Sequence, residues 1–418
     1  GGYMPSKAQK LGLENLQRPE NPDKKPKDFE ANNDKPKRDF QRGGKRTNSA
    51  AVALSKGYIV VIPGARGRTL TNEGVFTGKA PAGIVDLKAA VAYLHYNDNV
   101  MAGNANKIIS NGTSAGGAMS SLLGATGDNE DYLNYLKEIG AADASTSIYA
   151  VSAYCPITDL EHADMAYEWL LNGVNNYKKL EITMSTDYRI ERKFVEGTMS
   201  ENQIALSKEL SELYPSYVNN LNLKDLKGNL LTLDKNGNGT FKEYIKSYLI
   251  LSAQKALDSG TDLSKISGII IKNNKVLDID LNSYYRYVGR MKITPAFDGV
   301  DLSNGENDLF GTVTKSAQHF TEFGMKNDSV GGTIADSELI KMMNPLNYIG
   351  TKGTTTSKYW RIRHGALDVD TSVSVSATLA ITLENKGYNV DYFIPWGTPH
   401  SGDYDLEELF EWIDKISK

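Results

Sequence analysis

The chain has 418 residues, a length that fits two or three average domains or one large α/β core with an insertion. Its 47 Lys and Arg residues nearly balance 51 Asp and Glu residues, and the net charge of −4 argues against nucleic acid or an anionic membrane as a partner recognised through bulk charge. Cys155 is the single cysteine, which excludes an intrachain disulfide and a thiolate metal cluster and leaves the cellular compartment undetermined. The sequence holds no run of about 18 apolar residues, so we predict no membrane span.

Strands and helices alternate in the predicted structure of the first part of the chain. Residues 14–48 are rich in lysine, asparagine, aspartate and proline with interleaved acidic residues, and we predict a mobile, solvated loop there instead of a polyanion site. The elements that follow are a helix ending at Lys56-Gly57, the buried strand Tyr58–Ile62, the glycine-rich loop Pro63–Arg68, the helix Asp86–Tyr96, the strand Ile108–Ser110 and the strand Ser147–Tyr154. This alternation is typical of a parallel sheet with helices on both faces.

The pattern changes after Asp159, because no strand–helix–strand repeat is evident over residues 160–343. We therefore predict an inserted domain over 160–343 and a discontinuous core formed by residues 1–159 and 344–418. The elements predicted after Asp159 are, in order, the helices Ser207–Leu221 and Phe241–Leu257, a hairpin Gly268–Asp280 turning at Asn273-Asn274, the strand Tyr359–Arg363, the helix Val373–Lys386, the strand Asn389–Pro395 and a closing amphipathic helix Asp405–Ile416.

The stretch Asn106–Gly117 carries the first chemical signal. Its Gly-Thr-Ser-Ala-Gly motif stands between a predicted strand and a predicted helix, which is the context of a nucleophile elbow with Ser114 as the nucleophile. The tight turn predicts that only small residues fit at Gly112 and Gly116. The positive N-terminal end of the following helix would point toward the serine.

Three further catalytic candidates follow predicted strand ends, as Ser114 does. His400 follows the Asn389 strand, and Asp368 and Asp370 follow the Tyr359 strand, so the chain order is that of an α/β-hydrolase triad. His400 would accept the serine proton, and a carboxylate on its other ring nitrogen would fix the tautomer and stabilise the imidazolium. We favour Asp368 over Asp370 as this acid, which leaves Asp370 as a solvated loop charge or, as we prefer, a substrate ligand. His364 precedes both acids and is out of triad order.

An oxyanion hole needs two backbone N–H groups, one from Ala115 and one from an earlier loop. Gly1-Gly2 fits the earlier loop, although Gly-Gly at a terminus could equally be a cloning remnant. With Gly2 as the donor, numbering begins in mid-fold. We therefore expect the N-terminal strands to be missing from this chain, and the missing segment could be supplied as a separate fragment.

A possible structural cofactor is calcium. Asp234, Asn236 and Asn238 resemble the start of a calcium-binding loop, with oxygen ligands at alternate positions and a glycine sixth. The twelfth position is Ile245 instead of glutamate. The alternative is an Asn/Gly turn that caps the helix at Phe241. The predicted catalysis itself needs no cofactor.

Seven motifs spread over nearly the whole chain resemble the bacterial tannases, in the tannase and feruloyl esterase group of α/β-hydrolases. They are GGYMP (1–5), PGARGRT (63–69), NGTSAGG (111–117), KITPAFDG (292–299), GENDLFG (305–311), RHGALDVDTS (363–372) and WGTPHSGDYDL (396–406). The resemblance implies an α/β-hydrolase fold with a large inserted lid and a serine esterase that releases gallic acid from gallate esters. The partner would be a small phenolic ester.

The resemblance also implies roles for single residues. Ser114, Asp368 and His400 would form the triad, and Gly2 and Ala115 would donate to the oxyanion. The galloyl ring would be bound by Lys292, Glu306 and Asp370, whose carboxylates can accept the phenolic hydrogens while the lysine donates to the phenolic oxygens. Ile157 could form an apolar wall against the ring, and core packing is an equally good interpretation.

Three alternatives stay open at this point. The enzyme could be a feruloyl esterase or a general carboxylesterase, which relative rates on gallate and ferulate esters would separate. The chain could also be a catalytically silent hydrolase fold that binds a glycan or a protein, although a complete triad opposes this. The preferred alcohol, activity on polymeric tannins and oligomeric state are not determined by the sequence.

Overall fold

The computed structural model describes Tyr3, residues 48–184 and residues 190–417, except for the side chains of residues 181–192. Gly2 and residues 14–47 of the predicted loop lie outside the described residues.

The described part of the chain contains both α-helices and β-strands. The helices are α1 (Ser49–Ser55), α2 (Ala82–Tyr96), α3 (Ala115–Ala125), α4 (Leu133–Glu138), α5 (Leu160–Leu171), α6 (Glu201–Asn220), α7 (Thr240–Asp258), α8 (Leu281–Val288), α9 (Gly305–Leu309), α10 (Glu322–Lys326), α11 (Ser337–Met342), α12 (Val373–Asn385) and α13 (Leu406–Ser417). The strands are β1 (Thr71–Asn72), β2 (Val75–Phe76), β3 (Ile109–Thr113), β4 (Ala150–Tyr154), β5 (Asn176–Met184), β6 (Ile190–Thr198), β7 (Ile269–Lys272), β8 (Lys275–Ile279), β9 (Tyr359–Arg363) and β10 (Asn389–Phe393).

The central sheet is parallel, as predicted, and its described strands lie in the order β3, β4, β9, β10. Ile109 pairs with Ala150, Ala150 with Tyr359, and Tyr359 with Asn389, so the four strands start level with one another. Their carboxyl ends therefore reach one edge of the sheet together. The loops that follow these ends carry the predicted catalytic residues.

Both faces of the sheet are covered, because successive strand residues point to opposite sides. Val151 and Trp360, both fully buried, belong to a large apolar cluster with residues of α2, α3 and α12. Their neighbour Ala150 belongs to a second cluster, in which it packs with Leu409 and Phe410 of α13. The predicted arrangement of helices on both faces is thus confirmed.

The prediction of a buried strand over Tyr58–Ile62 is wrong. These residues belong to none of the described strands, and Ile59 and Val61 are 59% and 48% exposed. The backbone N–H of Tyr58 instead closes the end of α1 by donating to Ala53 O at 3.0 Å. An apolar run indicates a preference for burial, whereas a strand also requires a hydrogen-bonded neighbour, which composition does not reveal.

The predicted insertion contains the predicted hairpin, formed by β7 and β8, with Asn273 and Asn274 both in the left-handed conformation that its tight turn requires. α6 begins six residues before the prediction, because Ser200 and Gln203 form a capping box. A second hairpin, β5–β6, was not predicted. Its first strand contains adjacent lysines at 178 and 179, which obscure the alternation of apolar residues.

Asp159 lies where the chain leaves the predicted core. Its carboxylate accepts hydrogen bonds from His162 Nδ1 and Asn344 Nδ2, each at 2.7 Å, and from the Tyr217 hydroxyl of α6. Asn344 is the residue at which the core was predicted to resume. The main apolar cluster also includes residues from both parts, so the insertion packs directly against the core. The domain bounds themselves stay a prediction.

None of the helices in the described ranges combines the length and the apolar character needed to cross a membrane.

Candidate active site

Ser114 lies at the junction of β3 and α3, in the predicted strand–turn–helix context. Its φ of 61° and ψ of −123° are a conformation that non-glycine residues rarely adopt. Its backbone N–H donates to Tyr154 O at 2.9 Å, which ties the turn to the neighbouring strand β4. The strained turn thus holds the serine at the carboxyl edge of the sheet.

The elbow needs glycine at two positions, and they differ in part from the predicted pair. A Cβ atom at Gly112 would lie 2.1 Å from Gly116 O, so that prediction is confirmed. At Gly116 a Cβ atom would meet nothing within 4 Å, so that part is wrong. The second tight position is Gly117, where a Cβ atom would lie 2.8 Å from Tyr154 O. This close approach joins α3 to the loop after β4, which the local sequence does not reveal.

His400 and Asp368 are brought together from two loops. The Nδ1 atom of His400 lies 2.7 Å from Asp368 Oδ2. The other carboxylate oxygen of Asp368 accepts hydrogen bonds from the backbone N–H groups of Asp370 at 2.8 Å and Thr371 at 3.0 Å. Asp368 is 4% exposed, so its carboxylate is held in place by protein groups alone. This is the geometry expected of the acid that orients a catalytic imidazole.

The electrostatics of this pair agree with its geometry. Burial by itself would raise the pKa of Asp368, but the imidazoles of His400 and His364 and the hydrogen bond from Thr371 hold that pKa well below its usual range. Burial would likewise lower the pKa of His400, but the carboxylates of Asp368 and Asp370 raise it well above its ordinary value. The site therefore stabilises the imidazolium that forms when a base takes a proton.

Asp370 and His364 occupy different positions around this pair. Asp370 Oδ2 lies 3.7 Å from His400 Nε2, the nitrogen that would face the nucleophile. His364 is 1% exposed, and burial lowers its pKa to about 4, so it is neutral near pH 7. Its Nε2 atom lies 3.8 Å from Asp368 Oδ2. Its position behind Asp368 agrees with its exclusion from the triad.

Cys155 is a residue of this site that the sequence analysis missed. It directly follows β4, is 1% exposed and has a φ of 37°. Its Sγ atom lies 3.9 Å from His400 Nε2 and 3.5 Å from Ser401 O. The thiol therefore packs against His400 on the Nε2 side of its ring. Its position in the sequence, immediately after a predicted strand end, could have indicated a role in the site, because functional residues of parallel sheets often lie there.

Of the two predicted oxyanion donors, the structure describes Ala115. As the first residue of α3 it has a backbone N–H without an acceptor inside the helix, and it directly follows the serine. Gly2 lies outside the described residues. The next residue, Tyr3, accepts a hydrogen bond from Arg68 N at 3.0 Å. Burial raises the pKa of the Tyr3 hydroxyl, and the charge of the Glu306 carboxylate raises it further.

The structure brings two of the predicted galloyl ligands into direct contact. Lys292 Nζ lies 3.2 Å from Asp370 Oδ1 and 4.0 Å from the centre of the Phe297 ring. Burial would lower the pKa of Lys292, but Asp370 and then Glu306 raise it, so the ammonium group stays charged. The side chains of Lys292 and Asp370 are 22% and 27% exposed, so this ion pair is partly accessible to solvent.

Glu306 lies in the short helix α9, which is held in place by ion pairs of Asp308, two residues after Glu306. Asp308 binds Lys79 Nζ at 2.6 Å and Arg68 Nη1 at 2.5 Å. Lys79 Nζ also donates to the backbone oxygens of Asp308 and Ser316, at 2.8 and 2.7 Å. These contacts connect the glycine-rich loop of residues 63–68 to the segment that carries Glu306.

Comparisons with known proteins bear on this arrangement. A family model described as BD-FAE matches residues 34–206. A tannase from Fusobacterium nucleatum is 50% identical with a TM-score of 0.88, and one from Lactobacillus plantarum is 43% identical with the same score; each match covers 100% of this chain and 84% of that structure. The chain belongs to the bacterial tannase family.

A further solved structure is a tannin acyl hydrolase in complex with ethyl gallate. It is 46% identical with a TM-score of 0.84, and the match covers 90% of this chain and 81% of that one. No curated protein matches the chain. Membership of the tannase family confirms the predicted α/β-hydrolase fold and the predicted enzyme class, a carboxylic ester hydrolase. The alternative of a catalytically silent binding protein is therefore set aside.

Within the tannase fold, Ile157 follows β4 and is 4% exposed as a member of the main apolar cluster. Its burial agrees with core packing, and its role as a wall of the acyl site stays a prediction.

The predicted calcium loop is closed by its own hydrogen bonds. Asp234 Oδ1 accepts from the backbone N–H groups of Asn236 at 2.8 Å and Asn238 at 3.0 Å, and Asn238 Oδ1 accepts from Lys242 Nζ at 2.9 Å. The twelfth position, Ile245, is fully buried in α7. These contacts favour the alternative, a turn before the helix, because Asp234 Oδ1 and Asn238 Oδ1, two of the expected ligand oxygens, are already hydrogen-bonded. The calcium site stays a prediction.

Proposed function

We propose that this tannase-family enzyme hydrolyses gallate esters through an acyl-enzyme on Ser114. The observation that carries the proposal is that Lys292, Asp370 and His400 are contiguous. Asp370 lies 3.2 Å from Lys292 Nζ through one oxygen and 3.7 Å from His400 Nε2 through the other. A phenolic ring bound by Lys292 and Asp370 would therefore lie next to His400, the proposed catalytic base.

In the proposed reaction, His400 Nε2 takes the proton of Ser114 Oγ as the oxygen attacks the ester carbonyl. The oxyanion is stabilised by backbone N–H groups, for which Ala115 and Gly2 are the candidates. The imidazolium, supported by Asp368, then gives its proton to the departing alcohol and leaves a galloyl-serine. Water attacks this ester as His400 takes a proton from it, and His400 then gives that proton to Ser114 Oγ as the acyl C–O bond breaks and gallic acid is released.

Recognition of the acyl group would depend on three adjacent phenolic hydroxyls. Glu306 and Asp370 can accept their hydrogens, and Lys292 can donate to their oxygens. A hydrogen bond to a charged group contributes about 1.5–3 kcal/mol, so an acyl group lacking two such bonds should react at least about 100-fold more slowly. The similarity to a tannin acyl hydrolase in complex with ethyl gallate supports this choice of acyl group.

The test is kcat/KM of the wild-type enzyme for methyl gallate, methyl benzoate and methyl ferulate. We expect gallate to exceed benzoate by about 100-fold or more, since benzoate has no hydroxyl to bind. Ferulate should also be poor, because its methoxy group has no hydrogen to donate to a carboxylate. Equal rates on gallate and ferulate would identify a feruloyl esterase instead, and equal rates on all three a general carboxylesterase.

The proposed role of His400 also predicts a pH effect of replacing Asp370 with asparagine. His400 acts as a base only when it is neutral. Burial lowers the pKa of His400, but the carboxylates of Asp368 and Asp370 raise it well above its ordinary value. Removal of one anion makes the imidazolium less stable and lowers this pKa. The acidic limb of the pH–rate profile should therefore move to lower pH, by about one unit.

This shift is measured as kcat/KM for methyl benzoate against pH, so that loss of hydroxyl recognition does not enter. Asp391→Asn is the matched control, because Asp391 pairs with Arg363 and its side chain is 42% exposed. The acidic limb of the pH–rate profile of Asp391→Asn should lie at the same pH as that of the wild type. A limb that stays in place or moves to higher pH in Asp370→Asn would contradict the assignment of His400 as the base.

A further inference from the structure

The hydroxyl of Tyr167, in α5, lies between two parts of the chain. One is residues 291–292, called the Lys292 segment below, and the other is the loop that carries Asp368 and Asp370. The hydroxyl donates to Val369 O at 2.7 Å. It accepts from the backbone N–H groups of Lys292 at 3.1 Å and Met291 at 3.3 Å. One oxygen atom thus connects the segment that carries a predicted galloyl ligand to the residue between Asp368 and Asp370.

These three contacts use the full capacity of a phenolic hydroxyl, which has one hydrogen to donate and two lone pairs. Tyr167 is fully buried, so water has no access to replace any of them. Burial raises the pKa of Tyr167 to about 12, so the group keeps its hydrogen near neutral pH.

The ring that carries this hydroxyl is contacted by two other side chains. The guanidinium of Arg290 lies 5.6 Å from its centre, and the Phe297 ring meets it edge-on at 6.2 Å. Arg290 itself forms a fully buried ion pair with Glu168, the residue after Tyr167. The hydroxyl therefore has a defined position relative to both α5 and the Lys292 segment.

We propose that Tyr167 is a positioning residue that sets acyl-group selectivity by fixing the Lys292–Asp370 pair relative to His400. The proposal rests on the proposed function, because it takes that pair as the gallate-recognising group. Without the hydroxyl, Val369 O and two backbone N–H groups lose their partner. Lys292 and Asp370 would then be free to move apart, and Asp370 would no longer be held at its distance from His400 Nε2.

The test compares Tyr167→Phe with Tyr284→Phe. Tyr284 is an equally buried tyrosine whose hydroxyl donates to Ala366 O at 2.9 Å, in the same loop. Within the described part of the chain, this hydroxyl makes no hydrogen bond to the segment that carries Lys292. For each variant, kcat/KM is measured for methyl gallate and methyl benzoate. Folding is checked by thermal unfolding and by titration of Ser114 with an organophosphonate.

We expect the gallate-to-benzoate ratio to fall tenfold or more in Tyr167→Phe and to change less than threefold in Tyr284→Phe. In a Lys292→Ala background, Tyr167→Phe should lower the ratio by less than threefold, because the group that it positions is gone. Should Tyr167→Phe not fold, Tyr167→His, whose ring is too short to bridge the same groups, is measured with the same expectation.

The inference fails when the wild type prefers gallate and Tyr167→Phe keeps that preference. It also fails when Tyr284→Phe loses the preference to the same extent, because loop disruption would then explain both. A wild type without a preference for gallate overturns the proposed function instead, and this outcome is visible before any variant is made.

Discussion

Replacing Ser114 with alanine should lower kcat for methyl gallate by about 10⁴-fold or more. In the proposed mechanism no acyl-enzyme forms without the Oγ atom, and the remaining site could only bind the ester and polarise its carbonyl. The turn geometry of Ser114, with a φ of 61°, makes it the residue that the fold presents at the carboxyl edge of the sheet. Steady-state kinetics and mass spectrometry after organophosphonate treatment measure the loss of rate and of labelling.

Ser121→Ala is the matched control for this experiment. Ser121 lies in α3, the helix that begins directly after Ser114, is fully buried and donates to Gly117 O at 2.8 Å, so its loss tests local helix packing without touching the proposed nucleophile. Its rate should stay within about threefold of the wild type, and its labelling should be complete. An active and labelled Ser114→Ala enzyme would show that another residue is the nucleophile.

Replacing Asp368 with asparagine should lower kcat by about 10⁴-fold on every ester, because an amide cannot stabilise the imidazolium and favours the wrong imidazole tautomer. The hydrogen bonds that Asp368 accepts from Asp370 N and Thr371 N should keep the loop in place in the variant. Thermal unfolding checks this, and kcat on both methyl gallate and methyl benzoate measures the effect.

Asp370→Asn is the matched comparison, two residues away in the same loop. It should lower the gallate-to-benzoate ratio strongly while methyl benzoate keeps most of its rate, because Asp368 makes the contact that orients His400 at Nδ1, whereas Asp370 contacts Lys292. If Asp370→Asn is as inactive as Ser114→Ala on both esters and Asp368→Asn is not, the two aspartates exchange roles.

Local sequence predicted the elements of the site well where each was specified by neighbouring residues. The strand–turn–helix around Ser114, the strand Tyr359–Arg363 and the turn at Asn273-Asn274 follow from short patterns, and the structure has all three. The strand at Tyr58–Ile62 failed because pairing is not a property of the segment alone. The hairpin β5–β6 was missed for a related reason, since its two strands find each other despite lysines that obscure the pattern.

The sequence by itself determined which residue types stand after the strand ends, and in what order, and this was sufficient to predict the fold class and the kind of chemistry. Only the tertiary structure decided which of these residues contact one another. Asp368 contacts His400 Nδ1, and Cys155 packs against the same imidazole. Asp370 lies between Lys292 and His400 Nε2. The need for glycine at Gly117 likewise depends on the approach of another loop. The physical reason is that short-range patterns set backbone conformation, whereas distances between side chains on separate loops depend on how the whole sheet and insertion pack.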